Sequence, residues 1–95
     1  GGGEIVLALE ELEDCVADDQ SIEKTIERKR LALLFNRFLE SLPETERRIF
    51  LCRYWYLDSI SVIASYYGFS ESKVTSMLHR SRKKLRAVLE QEDLL

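Results

Sequence analysis

The chain has 95 residues, 45% of them hydrophobic and 33% charged, which is enough for one small domain. It carries no apolar run near the roughly 20 residues of a membrane-crossing helix, no basic stretch leading into an apolar one, and two distant cysteines, Cys15 and Cys52, so a reducing cytoplasmic setting is expected without disulfides or membrane. The single histidine, His79, and the lack of any GxxxxGK[ST], HExxH or GxSxG segment leave no metal site, cofactor or catalytic triad to expect, and hence no enzyme.

Gly1-Gly2-Gly3 has no side chains to fix a conformation, which points to a flexible connection from a preceding domain. Residues 1–20 form an acidic interdomain linker in this reading, and residues 21–95 a helical domain. Within the head, Ile5, Leu7, Leu9, Leu12 and Val16 stand among acids and admit a short strand or one or two helical turns. The first helix is predicted over Ser21–Ser41, with Ser21 as N-cap. Ile22, Ile26 and Leu33 make one stripe, and Leu31, Phe35, Phe38 and Leu42 another, so burial on two sides is expected.

Pro43 breaks that helix and opens a second one reaching Tyr56. Ile49, Cys52 and Tyr56 share a face there, while Leu51 and Trp55 point elsewhere, either into the core against the first helix or toward a partner. Cys52 reads as a core filler. Ser59 caps a short third helix that ends at Gly68, and Ser70 caps a last helix over Glu71–Glu90. Its inward stripe is Val74, Leu78, Ser81, Leu85 and Val88. The fold class is therefore all-α, four helices with a C-terminal helix-turn-helix, preceded by an acidic linker.

The net charge of −3 conceals a segregation. Nine acids face a single base, Lys24, in residues 1–27, whereas residues 47–86 hold nine bases (Arg47, Arg48, Arg53, Lys73, Arg80, Arg82, Lys83, Lys84 and Arg86) against Asp58 and Glu71. A basic body with an acidic head fits a polyanion-binding domain. The window Ile60–His79 has the layout of a helix-turn-helix: Ala64 at the crossing, Gly68 at the turn, and Ile63, Tyr67, Val74 and Met77 or Leu78 as locking contacts. On the last helix the opposite face carries Ser72, Thr75, Ser76, His79, Arg80, Lys83 and Arg86, with no acid between Ser72 and Ala87. Small hydroxyl groups approach base edges closely and longer cations reach phosphates, as a helix in the major groove requires.

The stretch from Ser41 to Glu90 resembles region 4 of the bacterial sigma-70 family of RNA polymerase sigma factors, in particular the extracytoplasmic-function group. The resemblance spans roughly Ile22–Glu90 and rests on Leu42-Pro43 with Arg48 and Phe50, on Ser59 followed by Ile63-Ala64, on Gly68-Phe69-Ser70, and on Val74, Ser76, Leu78, Arg80, Arg82 and Leu85 at their spacing. The head looks like the linker after the promoter-melting region 2, which this sequence does not include. The resemblance implies binding of double-stranded promoter DNA at the upstream (minus 35) element, docking on the β-subunit flap of the RNA polymerase core, and in some members an anti-sigma partner. It places Thr75, Ser76 and His79 against bases. Lys73, Arg80 and Lys83 suit phosphates because flexible cations tolerate many geometries, and the helix starts at Ser59 and Ser70 offer N–H groups to phosphate besides capping. Thr75 and Met77 depart from the Lys or Arg that relatives often carry, and a glutamate common near Val62 is missing, so base preference does not transfer. A stand-alone helix-turn-helix regulator and a helical protein-binding module are the alternatives. The Leu42-Pro43 start and the long basic last helix favour the sigma reading over the stand-alone regulator.

Overall fold

Proline lacks an N–H and fixes its own φ, so Leu42-Pro43 divides the chain between two helices. In the computed structural model, which describes residues 7–8, 10–12 and 27–91, the order is α1 (Glu27–Ser41), α2 (Glu44–Tyr54), α3 (Ile60–Tyr67) and α4 (Glu71–Gln91). Residues 7–8 and 10–12 of the head are also helical, and no strand occurs among the described residues. The readings placed on Gly1–Gly3, Ile5, Leu9, Val16, Ser21, Ile22 and Ile26, and on the side chain of Leu31, lie outside the described residues.

α4 is the axis of the domain, and each of the other three helices packs on it. Toward its C-terminal end Leu85 and Leu89 meet Phe38, Leu42 and Phe50 from α1, the α1–α2 corner and α2. The Phe38 and Phe50 rings meet edge to face, 5.3 Å between centroids, a favoured geometry for aromatic quadrupoles. Toward its N-terminal end Val74, Met77 and Leu78 pack on Ile49, Ile63 and Ala64. Cys52 is half-buried at the edge of this second cluster.

Three expected faces are corrected. Among the described residues of α1 one stripe is buried: Leu34 and Phe38, with Leu42 just past the helix, face inward, while Leu33 of the other stripe is 61% exposed. On α4 the last core position is Leu89 and Val88 is half-buried, because Leu85 and Leu89, one turn apart, both meet the Phe38–Phe50 cluster. α2 ends at Tyr54, two residues before its predicted end. The N–H groups of Trp55 and Tyr56 both bond to the Leu51 carbonyl, and the Asp58 N–H bonds to the Cys52 carbonyl. Leu57 takes φ 61°, so the chain leaves the helix there and Trp55 and Tyr56 swing out, 73% and 69% exposed. Of the two placements open to Trp55 the core one is thus excluded, and Tyr56 leaves the face expected to be shared with Ile49 and Cys52.

The boundaries of the helix-turn-helix follow from single residues. Ser59 Oγ accepts from the Val62 N–H at 3.1 Å and Ser70 Oγ from the Lys73 N–H at 3.0 Å, each satisfying a donor that the first helical turn leaves unpaired. Gly68 closes α3 at φ 72°, where residues with a Cβ are strained. At the α1–α2 corner Arg47 does the equivalent for carbonyls, donating from Nε to Leu39 O at 2.9 Å and from Nη2 to Leu42 O at 3.1 Å.

A Cβ built at Gly68 meets nothing within 4 Å, so the penalty of a substitution there is conformational and not steric. Gly68→Ala and Gly68→Val should both destabilise the fold, by roughly 1–3 kcal/mol, with valine the worse for its β-branch. Thermal denaturation checks this; a valine variant melting like wild type would show that the turn is not left-handed.

Candidate nucleic-acid interface

α4 buries its Val74–Leu78–Leu85 side, so the geometry of a helix pushes the opposite residues out. Ser72, Lys73, Thr75, Ser76, His79, Arg80 and Lys83 are all exposed there. Thr75, Ser76 and His79 occupy about one turn of the N-terminal half of the helix, and Arg80 and Lys83 follow on the same side. Lys73 lies at the entry, its ammonium 3.9 Å from the centroid of the Phe69 ring. Ser59 and Ser70 are the caps described above, and their hydroxyl oxygens already accept from their own helices. The N-terminal ends of α3 and α4 remain partially positive by virtue of the aligned peptide dipoles.

Several bases counted in the sequence serve the fold itself. Arg47 caps α1. Arg48, Lys84 and Arg86 pair with Glu44, Glu46 and Glu90 on exposed surface, contacts that contribute little to stability. Arg53, only 2% exposed, points inward: its Nη1 donates to the Asp58 carbonyl at 2.9 Å, and its Nε and Nη2 reach the Glu11 carboxylate at 3.2 and 2.9 Å. The Tyr54 hydroxyl donates to Glu11 Oε1 at 2.8 Å, and Arg82 Nη1 donates to the Tyr54 hydroxyl at 2.8 Å while standing 3.7 Å from Glu11. Ala8 is buried and Leu12 packs on the Phe38–Phe50 cluster. The described part of the acidic head is therefore seated on the domain.

The sequence reading of residues 1–20 as an acidic linker named no agent for this seating. The signal for Arg53 lies in its position, four residues after Ile49 and three after Phe50, on the buried face of α2. Nothing in the sequence named Glu11 as its partner over the other six acids of residues 1–20. Leu51 is half-buried and Trp55 exposed, so they do not join the core together. Leu51, Tyr56, Val62, Tyr66 and Tyr67 line a groove of about 390 Å³ between α2 and α3. Tyr66 and Val62 are among the most exposed large apolar residues, at 80% and 54%.

Partial burial raises the Glu11 carboxyl, but hydrogen bonds from Arg53 and Tyr54 and the charges of Arg53 and Arg82 outweigh it and hold the pKa below its usual 4.5. Burial pushes the Tyr54 phenol well above its ordinary range, and the bond to Glu11 adds to the shift. Burial and the Asp58 charge raise the Cys52 thiol, which keeps it protonated and unreactive at neutral pH. A carboxyl with a depressed folded pKa contributes stability that is present above its unfolded value and lost as pH falls through the folded one. The urea midpoint should thus decline from about pH 5 downward, and decline less steeply in Glu11→Gln than in wild type. Parallel declines in the two proteins would show that Glu11 carries no such linkage.

Residues 32–85, from within α1 to Leu85 of α4, match the family described as Sigma-70, region 4. No curated protein and no solved structure matches the chain. The family match covers more than half of the sequence and contains α2, the whole helix-turn-helix and the exposed face of α4, while the Glu11 head lies outside it. The chain belongs to the sigma-70 region 4 family, the DNA-binding, helix-turn-helix part of sigma factors that acts at promoters in transcription initiation.

Proposed function

We propose that this domain reads the upstream (minus 35) promoter element from within a polymerase-bound sigma factor, with α4 lying in the major groove. The observation that carries the reading is the exposed, acid-free face of α4 between Ser72 and Ala87, on a helix whose other side is fixed in the core. Thr75 and Ser76 face base edges, because short side chains on the N-terminal half of the helix approach the groove floor most closely, and His79, one turn on, presents its ring to the same groove. Lys73, Arg80 and Lys83 hold phosphates, and the helix starts at Ser59 and Ser70 supply backbone N–H groups to the same strands.

The exposed apolar residues between α2 and α3 support contact with protein. In this proposal Leu51 and Trp55 belong to the surface that meets the β-subunit flap of core polymerase, and an anti-sigma protein would compete for it. Residues 1–20 connect the domain to a preceding one, and the whole acts in the cytoplasm without a cofactor. An isolated domain then binds duplexes weakly and gains discrimination with core polymerase. Nanomolar binding of one duplex by a symmetric dimer of residues 1–95 would instead favour a stand-alone regulator.

His79→Ala and Thr75→Ala should change which bases are preferred, by roughly 1–3 kcal/mol for a true base contact. Arg80→Ala should weaken matched and scrambled duplexes alike and lower the salt dependence by about one unit. Binding titrations of the variants on both duplexes over a salt series make the check. If no variant alters base preference, promoter reading lies elsewhere.

A further inference from the structure

Glu11 reaches two helices at once. Its carboxylate is bonded by Arg53 and Tyr54 of α2 and lies 3.7 Å from the Arg82 guanidinium of α4. Arg82 follows Thr75 by seven residues, which brings it to almost the same side of the helix two turns on. Yet its side chain is only 16% exposed, in contrast to the exposed Arg80 and Lys83 on either side of it. The difference has a visible cause, since Arg82 is drawn toward α2 by the Tyr54 hydroxyl and the Glu11 charge. Two arginines and a phenol around one carboxylate are also the donors that would bind a phosphate.

We propose that Glu11 stands in for a DNA phosphate, so that the head turn is a clasp withholding Arg82 from the duplex. Opening the clasp adds Arg82 to the phosphate-binding cations of α4 and raises affinity for DNA of any sequence. The two arginines differ in consequence. Arg53 is buried and needs a carboxylate to neutralise it, which keeps the clasp closed in the free domain. Arg82 stands at the boundary between the core seam and the proposed DNA face, close enough to turn outward when the carboxylate leaves. A sigma factor whose head is pulled away by the preceding domain would thereby strengthen its hold on the promoter backbone.

The proposal rests on the reading of α4 as the DNA-facing helix, and the test separates the two. Salt dependence of binding to a promoter-unrelated duplex is measured for the full 95-residue chain and for Lys83→Ala, Arg82→Ala, Glu11→Gln and Glu11→Gln/Arg82→Ala. Lys83→Ala should lower the slope of log affinity against log salt by about one, and Arg82→Ala should leave it unchanged. Glu11→Gln should steepen it by about one, and adding Arg82→Ala should cancel that gain. The clasp is overturned if Arg82→Ala alone lowers the slope as Lys83→Ala does, or if Glu11→Gln, folded by circular dichroism, does not steepen it. Should Glu11→Gln fail to fold, the comparison of Arg82→Ala with Lys83→Ala in the wild-type background decides. A slope unmoved by Lys83→Ala would bring down the DNA-face reading itself, and the clasp with it.

Discussion

A guanidinium that is 2% exposed has to be neutralised and its donors filled, and in this domain the demand comes from Arg53. Meeting it fixes three separate parts of the chain. The Asp58 carbonyl takes Nη1, which ties down the connection between α2 and α3 just before the Ser59 cap. The Glu11 carboxylate takes Nε and Nη2, which seats the head turn and brings Ala8 and Leu12 onto the hydrophobic core. Through Tyr54 and Glu11 the network continues to Arg82, so α4 is held to α2 by polar as well as apolar contacts.

That network redistributes the positive charge of the domain. Arg47 is spent on carbonyls at the end of α1, and Arg53 and Arg82 on the head. The outward cations of α4 nearest Thr75, Ser76 and His79 are then Lys73, Arg80 and Lys83. In the proposed reading a compact set of this kind gives modest affinity for a lone duplex, as expected of a domain held at the promoter by a polymerase. The same logic explains why total charge is a poor guide here: its location and its partners decide what reaches a phosphate.

Much of the fold was legible in the sequence because its boundaries depend on local chemistry. Ser59, Gly68 and Ser70 act through their own backbone neighbours, and the structure places each of them at the predicted cap. Val74, Leu78, Ser81 and Leu85 came from helical period alone and are buried. What the sequence did not reveal depends on long-range geometry. Trp55 continues the α2 pattern, but Leu57 at positive φ and two N–H groups sharing the Leu51 carbonyl end the helix beneath it. Leu33 fits a second stripe that no described neighbour covers, and it is exposed. Glu11 and Arg53 are 42 residues apart and carry no pattern that links them. The residues proposed to contact DNA were legible as an exposed face, since that follows from the periodicity of the core; their proposed division between bases and phosphates came from the family resemblance together with the reach of flexible cations.

The most direct measurement of the account is a double-mutant cycle between Glu11 and Arg53, using Glu11→Gln, Arg53→Met and the double variant in urea unfolding at neutral pH. Removing Glu11 alone strands a buried cation, whereas removing Arg53 as well relieves it, so the double variant should be less destabilised than the two single changes added together. The account predicts a coupling of about 2 kcal/mol, within the range for residues in one network. Effects that add to within about 0.5 kcal/mol would contradict it, because Glu11 and Arg53 would then stabilise the domain independently and the head would not be held by the buried charge.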